Sequence, residues 1–226
     1  MEHAAQPPVA LAGTSGFLQR VFGWMVLGLA TTAAAAAVIG ASDTLLTDVT
    51  SNPLLLILIF GGQLALVITI SAGVNKLSPG VAAALFLLYS ALNGIIFAFV
   101  FELYTTESIF TTFLIAAVMF GSLAFYGAVT KRDLTGLGPI LFAALIALIV
   151  ATFVNIFVGG STLYWITTYA GVAVFAGLTA YDMQKLTRYA AAAGPDGRGA
   201  IQGALALYLD FINLFLFLLR IFGRAR

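Results

Sequence analysis

Long apolar runs alternate along the chain with short breaks that contain glycine, proline, asparagine or charged residues. A run longer than about 18 residues can cross a membrane as a helix. The pattern predicts seven such helices, at residues 21–41, 54–74, 81–103, 109–129, 140–158, 163–188 and 203–222. Lipid cannot hydrogen-bond to bare backbone, and the runs lack the period-two alternation of barrel strands, so helices are the only fitting elements.

The breaks contain residues that start or stop helices. They include Asn52-Pro53, Ser78-Pro79, Gly138-Pro139 and Pro195-Asp196-Gly197. We therefore expect an all-α polytopic membrane protein. Residues 1–20 would form a short polar N-terminal tail, 21–222 a single seven-helix membrane domain and 223–226 a basic C-terminal tail.

Composition strengthens the membrane interpretation. Hydrophobic residues make up 62% of the 226 positions, whereas soluble domains contain roughly 45–50% even with glycine counted. The net charge of +1 provides no bulk attraction to nucleic acid, so no nucleic-acid partner is expected. The absence of cysteine excludes disulfides and thiolate chemistry. The first residues lack the basic start of a cleaved signal peptide, so the first span should be retained.

The charged residues outside the spans predict an orientation. If the helices alternate, one side collects Arg20, Lys76, Lys131, Arg132, Lys185, Arg188 and Arg198, and the other collects Asp43, Asp48, Glu102 and Glu107. The positive-inside rule then places the N-terminus in the cytoplasm. The last segment departs from the rule, because Arg220, Arg224 and Arg226 would lie outside if it crosses fully. It either spans against the rule or is re-entrant.

Two aspartates lie inside the last two predicted spans, where a charge is costly and indicates function. Asp210 is about seven residues into its span, and Asp182 is six residues before the end of its own, roughly 10 Å and 9 Å along each helix. Both are equally distant in sequence from Asp196, which lies in a turn signal. A helical hairpin would therefore place the two carboxyl groups at one depth.

Facing carboxylates in a low-dielectric interior would share a proton and would act as a pH sensor. Deprotonation would create an oxygen cluster suited to a transient calcium ion. Asn213, one turn beyond Asp210, could support that site, and Tyr181 and Tyr208 could hydrogen-bond to the carboxylates.

A purely structural explanation of the aspartates is also open. Asp210 could pair with Asn213, while Asp182 could lie at the membrane surface near Lys185 and Arg188. Three other intramembrane polar residues, Asn93, Asn155 and Gln63, are expected to hydrogen-bond between helices rather than to bind a ligand.

Three segments carry a family resemblance: residues 120–134, 175–184 and 204–215. They closely resemble the Bax inhibitor family in its bacterial branch. The resemblance implies a bundle of seven helices with the last one central, a pH-sensitive calcium leak, and Asp182 and Asp210 as the family's paired aspartates. Some relatives are pictured with an arginine of the second helix latching the aspartates, but residues 54–75 contain no arginine or lysine. The resemblance therefore does not identify the residue that pairs with the aspartates in a closed state.

Two other functions are open beside the calcium leak. Bacterial relatives are also described as modulators that bind a membrane-bound protease. An intramembrane aspartyl protease is a remote alternative, because Leu207-Tyr208-Leu209 replaces that family's Gly-x-Gly and no Pro-Ala-Leu segment occurs. We expect no enzyme and no resident cofactor. The expected partners are the bilayer, calcium ions and protons, in a bacterial inner membrane.

Overall fold

The structure is a computed structural model that describes residues 8–73, 76–193 and 197–226. These residues form eight helices: α1 (Pro8–Gly40), α2 (Asp43–Thr50), α3 (Pro53–Ala72), α4 (Pro79–Leu103), α5 (Thr106–Val129), α6 (Leu137–Val158), α7 (Ser161–Ala193) and α8 (Gly197–Phe222). Seven of them, all except α2, are long and apolar enough to cross a membrane. The prediction of an all-α protein with seven spans is confirmed. The last residue of the predicted 54–74 span and the turn residues 195–196 lie outside the described residues.

Three helices extend about five residues or more beyond the apolar runs that predicted them. α1 begins at Pro8, so part of the tail expected at residues 1–20 is helical. Residues 1–7 of that tail lie outside the described part of the chain. α7 continues to Ala193 and α8 begins at Gly197. An apolar run measures the segment that lipid can cover, whereas the backbone hydrogen bonds of a helix can continue into more polar sequence.

The short helix α2 was not predicted. It begins after Ser42, whose side chain accepts a hydrogen bond from the Leu45 amide at 3.4 Å and so caps the first turn. The helix is only eight residues long, too short to produce a membrane-span signal. α3 begins in the same way at Asn52, with Pro53 in its first turn, as the break signal indicated.

The chain divides into two compact units. The first comprises Met1–Leu103, Tyr189–Tyr208 and Arg226, and the second comprises Tyr104–Arg188 and Leu209–Ala225, within the described residues of each. α7 and α8 therefore contribute residues to both units. The expectation of a single membrane domain stays a prediction.

Small residues allow α1 and α4 to pack closely in the first unit. A Cβ atom added at Gly94 would lie 2.5 Å from the Ala35 Cβ and 2.6 Å from the Thr32 carbonyl oxygen. Another at Gly28 would lie 2.5 Å from the Phe86 ring. Close backbone approach of this kind replaces the hydrophobic driving force that is weak between helices in lipid.

Aromatic rings fill the second unit. Phe113 and Phe120 both meet the Phe211 ring edge to face, each at a centroid distance of 5.5 Å. α5 also approaches α7 closely, since a Cβ at Gly127 would overlap the Ala180 carbonyl. The rings of Phe113 and Phe120 place an apolar surface of α5 against the second half of α8.

α8 is the most buried of the seven candidate spans. In its most apolar stretch 61% of the residues are buried, compared with 6 to 39% in the other spans. Its central position in the bundle stays a prediction, but its burial means that a polar side chain on this helix mostly meets protein rather than lipid.

The end of α8 contacts the connection between α4 and α5. In the second unit the Thr105 amide donates to the Arg224 carbonyl at 2.9 Å, and the Arg224 amide donates to Ser108 Oγ at 3.1 Å. In the first unit Arg226 forms a 3.6 Å ion pair with Glu102. α8 is unbroken over 26 residues, about 39 Å at 1.5 Å per residue, which favours a full crossing over re-entry.

Replacing Gly94 with alanine should lower the melting temperature, because the new methyl group meets the α1 backbone. We expect a loss of roughly 1–3 kcal/mol in unfolding free energy, the usual cost of overpacking. Gly61→Ala is the matched control, since a Cβ there meets nothing within 4 Å. Thermal unfolding followed by Trp24 and Trp165 fluorescence measures both. Equal melting temperatures for the two variants would contradict the close packing of α1 and α4.

Candidate functional site

Asp210 is a buried acid near the middle of α8. Its residue is 3% exposed, and its Oδ2 atom has no hydrogen-bond partner among the described residues. The next residue, Phe211, packs against the rings of Phe113 and Phe120. A carboxylate oxygen without a donor in apolar surroundings is costly, and structural carboxylates in proteins are normally hydrogen-bonded or paired.

Asp182 lies in the same unit on α7 and is half-buried. The charges of Asp182 and Asp210 interact, and Lys185, one turn along α7, acts electrostatically on Asp182. Because α7 ends at Ala193 and α8 begins at Gly197, the two aspartates are nearly equidistant from the turn between the helices. The two residues that the sequence singled out therefore lie in one unit, on the two helices that flank this turn, and their joint site stays a prediction.

Two of the suggested supporting residues have other contacts. The Asn213 side-chain amide donates to the Leu209 carbonyl of its own helix at 2.8 Å. The Tyr181 ring packs on Gly138, where an added Cβ would lie 2.6 Å from the tyrosine hydroxyl. Among the described residues no hydrogen bond joins Asn213 or Tyr181 to either aspartate. Asp210 is thus not held by the structural pairing with Asn213.

Tyr208 belongs to a second polar cluster, in the first unit. Its fully buried hydroxyl lies 2.6 Å from Thr32 Oγ1 and accepts a hydrogen bond from Asn93 Nδ2 at 3.2 Å. Asn93 Oδ1 in turn accepts from Gln63 Nε2 at 3.2 Å, and Thr32 Oγ1 donates to the Ser90 carbonyl at 2.9 Å. This network joins α1, α3, α4 and α8, which confirms the predicted interhelical role of Asn93 and Gln63.

Helical geometry explains why Tyr208 does not bond to the aspartates. Successive helical residues are rotated by roughly 100°, so Tyr208 and Asp210 point to opposite sides of α8. The sequence contained that signal. Asn155 also differs from expectation, because its Oδ1 atom is buried without a hydrogen-bond partner in the described part of the chain.

A third polar cluster, which the sequence did not reveal, joins α7 to the chain segment between α5 and α6. The buried Gln184 side chain donates to the Arg132 carbonyl at 2.8 Å and accepts from the Leu134 amide at 2.9 Å. Arg188 donates to Asp133 Oδ1 and to Thr135 Oγ1, each at 2.8 Å. These bonds depend on a chain reversal between residues about 50 positions apart, so sequence spacing alone cannot show them.

The Asp133 carboxylate of this cluster remains ionised at physiological pH. The side-chain hydroxyl and backbone amide of Thr135 donate to it, and Arg188 adds a hydrogen bond and a positive charge, so its pKa falls to about 2. Because the pKa of Asp133 is depressed, the stabilisation that its ionised carboxylate gives the folded protein is complete above its ordinary pKa of 3.8. That stabilisation is lost only as the pH falls toward 2. Asp133 therefore does not titrate between pH 5 and 8.

The helices and the buried aspartate define a polytopic α-helical membrane protein. Residues 14–226 match the family model described as "Inhibitor of apoptosis-promoting Bax1". The chain belongs to the Bax inhibitor family.

Similar proteins occur in distant bacteria. The Inner membrane protein YbhL of Escherichia coli is 46% identical over 220 residues, which cover 95% of this chain and 94% of that protein. A protein of Deinococcus radiodurans is 44% identical over 93% of this chain and 90% of its own length. One of Borreliella burgdorferi is 41% identical over 93% and 92%. The likeness therefore includes both aspartate helices.

Removing the Tyr208 hydroxyl should destabilise the protein, because Asn93 and Thr32 each lose a partner in a buried network. We expect Tyr208→Phe to cost about 1–2 kcal/mol, visible as a lower melting temperature. Tyr126→Phe is the control, since Tyr126 is 43% exposed. A Tyr208→Phe protein as stable as the control would show that the network contributes little to folding.

Proposed function

We propose that this protein is a pH-sensitive calcium leak channel in which Asp182 and Asp210 form the site that binds a proton or a cation. The observation that carries the proposal is the buried Asp210 carboxyl group, whose Oδ2 atom has no donor among the described residues and whose charge interacts with that of Asp182. Intramembrane acids of this kind are typical of proton and ion pathways.

Competition between protons and calcium follows from the chemistry of the pair. An unpaired buried charge costs several kcal/mol, and either a bound proton or a bound cation removes that cost. Protonation also removes the negative charge that attracts calcium. Binding of calcium at the pair therefore weakens as the pH falls, which makes the leak sensitive to pH.

The site suits an ion in transit better than an ion in storage. Calcium takes six to eight oxygen ligands in a tight protein site. Within the described part of the chain, no three histidine, cysteine or acidic side chains are grouped to hold a metal. Two carboxylates, with backbone carbonyls or water, would bind calcium weakly enough to release it, as conduction requires.

The cationic partner of the aspartates comes from α7 in this proposal. The described second span, Pro53–Ala72, contains no arginine or lysine. Lys185 is the charged group that acts on Asp182. It lies three residues along the same helix and can hold Asp182 without a second-helix arginine.

We infer an inner-membrane location with the N-terminus in the cytoplasm. The Escherichia coli relative is named an inner membrane protein, and the basic connections support the orientation. α8 then ends outside, where the Arg226 ion pair with Glu102 places a basic residue against an acidic connection. Arg220 lies over the Tyr164 and Phe217 rings at 5.6 and 5.0 Å. These contacts partner two of the three basic residues that depart from the positive-inside rule.

Neutralising either aspartate should reduce the pH dependence of calcium flux. In proteoliposomes loaded with a calcium indicator, Asp210→Asn and Asp182→Asn should each change the flux at least tenfold somewhere between pH 5 and 8 and flatten its pH profile. Asp133→Asn is the matched control, because Asp133 is ionised throughout that range. Its profile should match that of the natural protein.

A calcium flux that neither Asp210→Asn nor Asp182→Asn changes from that of the natural protein across this pH range would defeat the proposed site. Co-purification of a membrane protease that survives both substitutions would instead support the protease-binding alternative. Cleavage of a membrane substrate that either substitution abolishes would support proteolysis.

A further inference from the structure

A cavity of about 240 Å³ lies in the second unit beside the connection between α5 and α6. It is lined by Thr135 of that connection and by Tyr181, Gln184, Lys185 and Arg188 of α7. The four α7 residues recur at helical spacing and therefore share one face of the helix. The cavity lies at the end of the unit where the basic residues collect.

The polar lining is rich in hydrogen-bond donors and positive charge. Lys185 is exposed and pairs with no carboxylate at ion-pair distance in the part of the chain that the structure describes. Arg188 uses one guanidinium nitrogen, Nη1, for both Asp133 and Thr135. A guanidinium group carries five N–H donors, so the donors on its other nitrogens are available to a further acceptor.

The charges close to the cavity are predominantly positive. Lys131 and Arg132 precede Asp133 in the connection, while Lys185 and Arg188 are on α7. Lys185 and Arg188 line the cavity, and Asp133 beside it is already paired with Arg188. Asp182, three residues before Lys185 on α7, also interacts electrostatically with it. A cation would be repelled at this cavity, and an anion with several acceptor oxygens would be attracted.

We propose that this cavity binds a phosphate group, held by Lys185 and Arg188. Phosphate oxygens accept the bidentate donors that arginine offers and the point charge of a lysine. The volume is below the roughly 300–1,000 Å³ of a site for a drug-sized ligand, which suits a headgroup or a small anion. Basic cavities between membrane helices are known to bind anionic headgroups. The proposal shares Lys185 with the proposed calcium site, but its test measures the retention of an anion, which the calcium leak does not require.

The phosphate group can belong to a lipid or to a free anion, and the test separates them. The full chain in detergent is mixed with equal phosphatidylglycerol and phosphatidylcholine, and native mass spectrometry counts the retained lipid. Inorganic phosphate is the second probe, measured by its competition with the lipid and by its effect on the melting temperature. Lys185→Gln should reduce retention of the anionic probe roughly fivefold, the ratio that one basic residue contributes near an anionic surface.

Two variants control for general charge and for misfolding. Lys131→Gln removes an equally exposed basic residue that does not line the cavity, and it should leave retention unchanged. Asp133→Asn keeps an acceptor for Thr135 but removes the carboxylate that competes for Arg188, so it should strengthen retention. Misfolding would not raise the retention of the anionic lipid alone, so a selective increase reports on the cavity.

Selective retention of phosphatidylglycerol that Lys185→Gln weakens and phosphate does not displace would identify a lipid headgroup. Displacement of the lipid by phosphate, or phosphate stabilisation lost in Lys185→Gln, would identify a free anion. Equal losses in Lys185→Gln and Lys131→Gln would show only diffuse surface attraction and would overturn the proposal. Absence of binding by both probes would overturn it as well.

Discussion

Lipid offers no hydrogen bonds, so every backbone group in a span must be satisfied inside its own helix. The rest of this structure depends on that constraint. It makes the seven candidate spans continuous helices and leaves side chains as the only polar groups free to interact between them. It also explains the close contact at Gly94, because helices in lipid gain contact mainly by approaching one another closely. Polar side chains in such a bundle are few, and each requires a reason.

The buried polar residues of α8 illustrate two different reasons. The Tyr208 hydroxyl has partners on two other helices, so its role is explained by packing and hydrogen bonding within the first unit. Asp210, two residues away, has an oxygen atom without a described partner in the second unit. A protein that needed only stability would gain by replacing such an acid with an apolar residue. The contrast supports a functional role for Asp210.

The ends of the helices show how the charged residues are accommodated. The basic C-terminal residues conflict with the positive-inside rule if the last helix crosses, but the structure partners them locally. Arg226 pairs with Glu102, and Arg220 lies over the Tyr164 ring. In the second unit, the side chains of Gln184 and Arg188 on α7 hydrogen-bond to Arg132 and Asp133 in the connection between α5 and α6. Topology rules that count charges along a sequence do not include these contacts, since the partners are distant in sequence.

The sequence by itself determined the spans, their approximate ends and the two intramembrane acids, because apolar length and the cost of a buried charge are local properties. It missed α2, whose capped turn is too short for a span signal, and it extended the polar tail into what is α1. Only the tertiary structure decided which polar groups meet. Tyr208 joins Thr32 and Asn93 rather than the aspartates, and Gln184 bonds to the connection after α5. The spacing along α8 shows only that Tyr208 and Asp210 point apart, whereas the groups that each one meets depend on the rotation of the helices and on contacts across the fold.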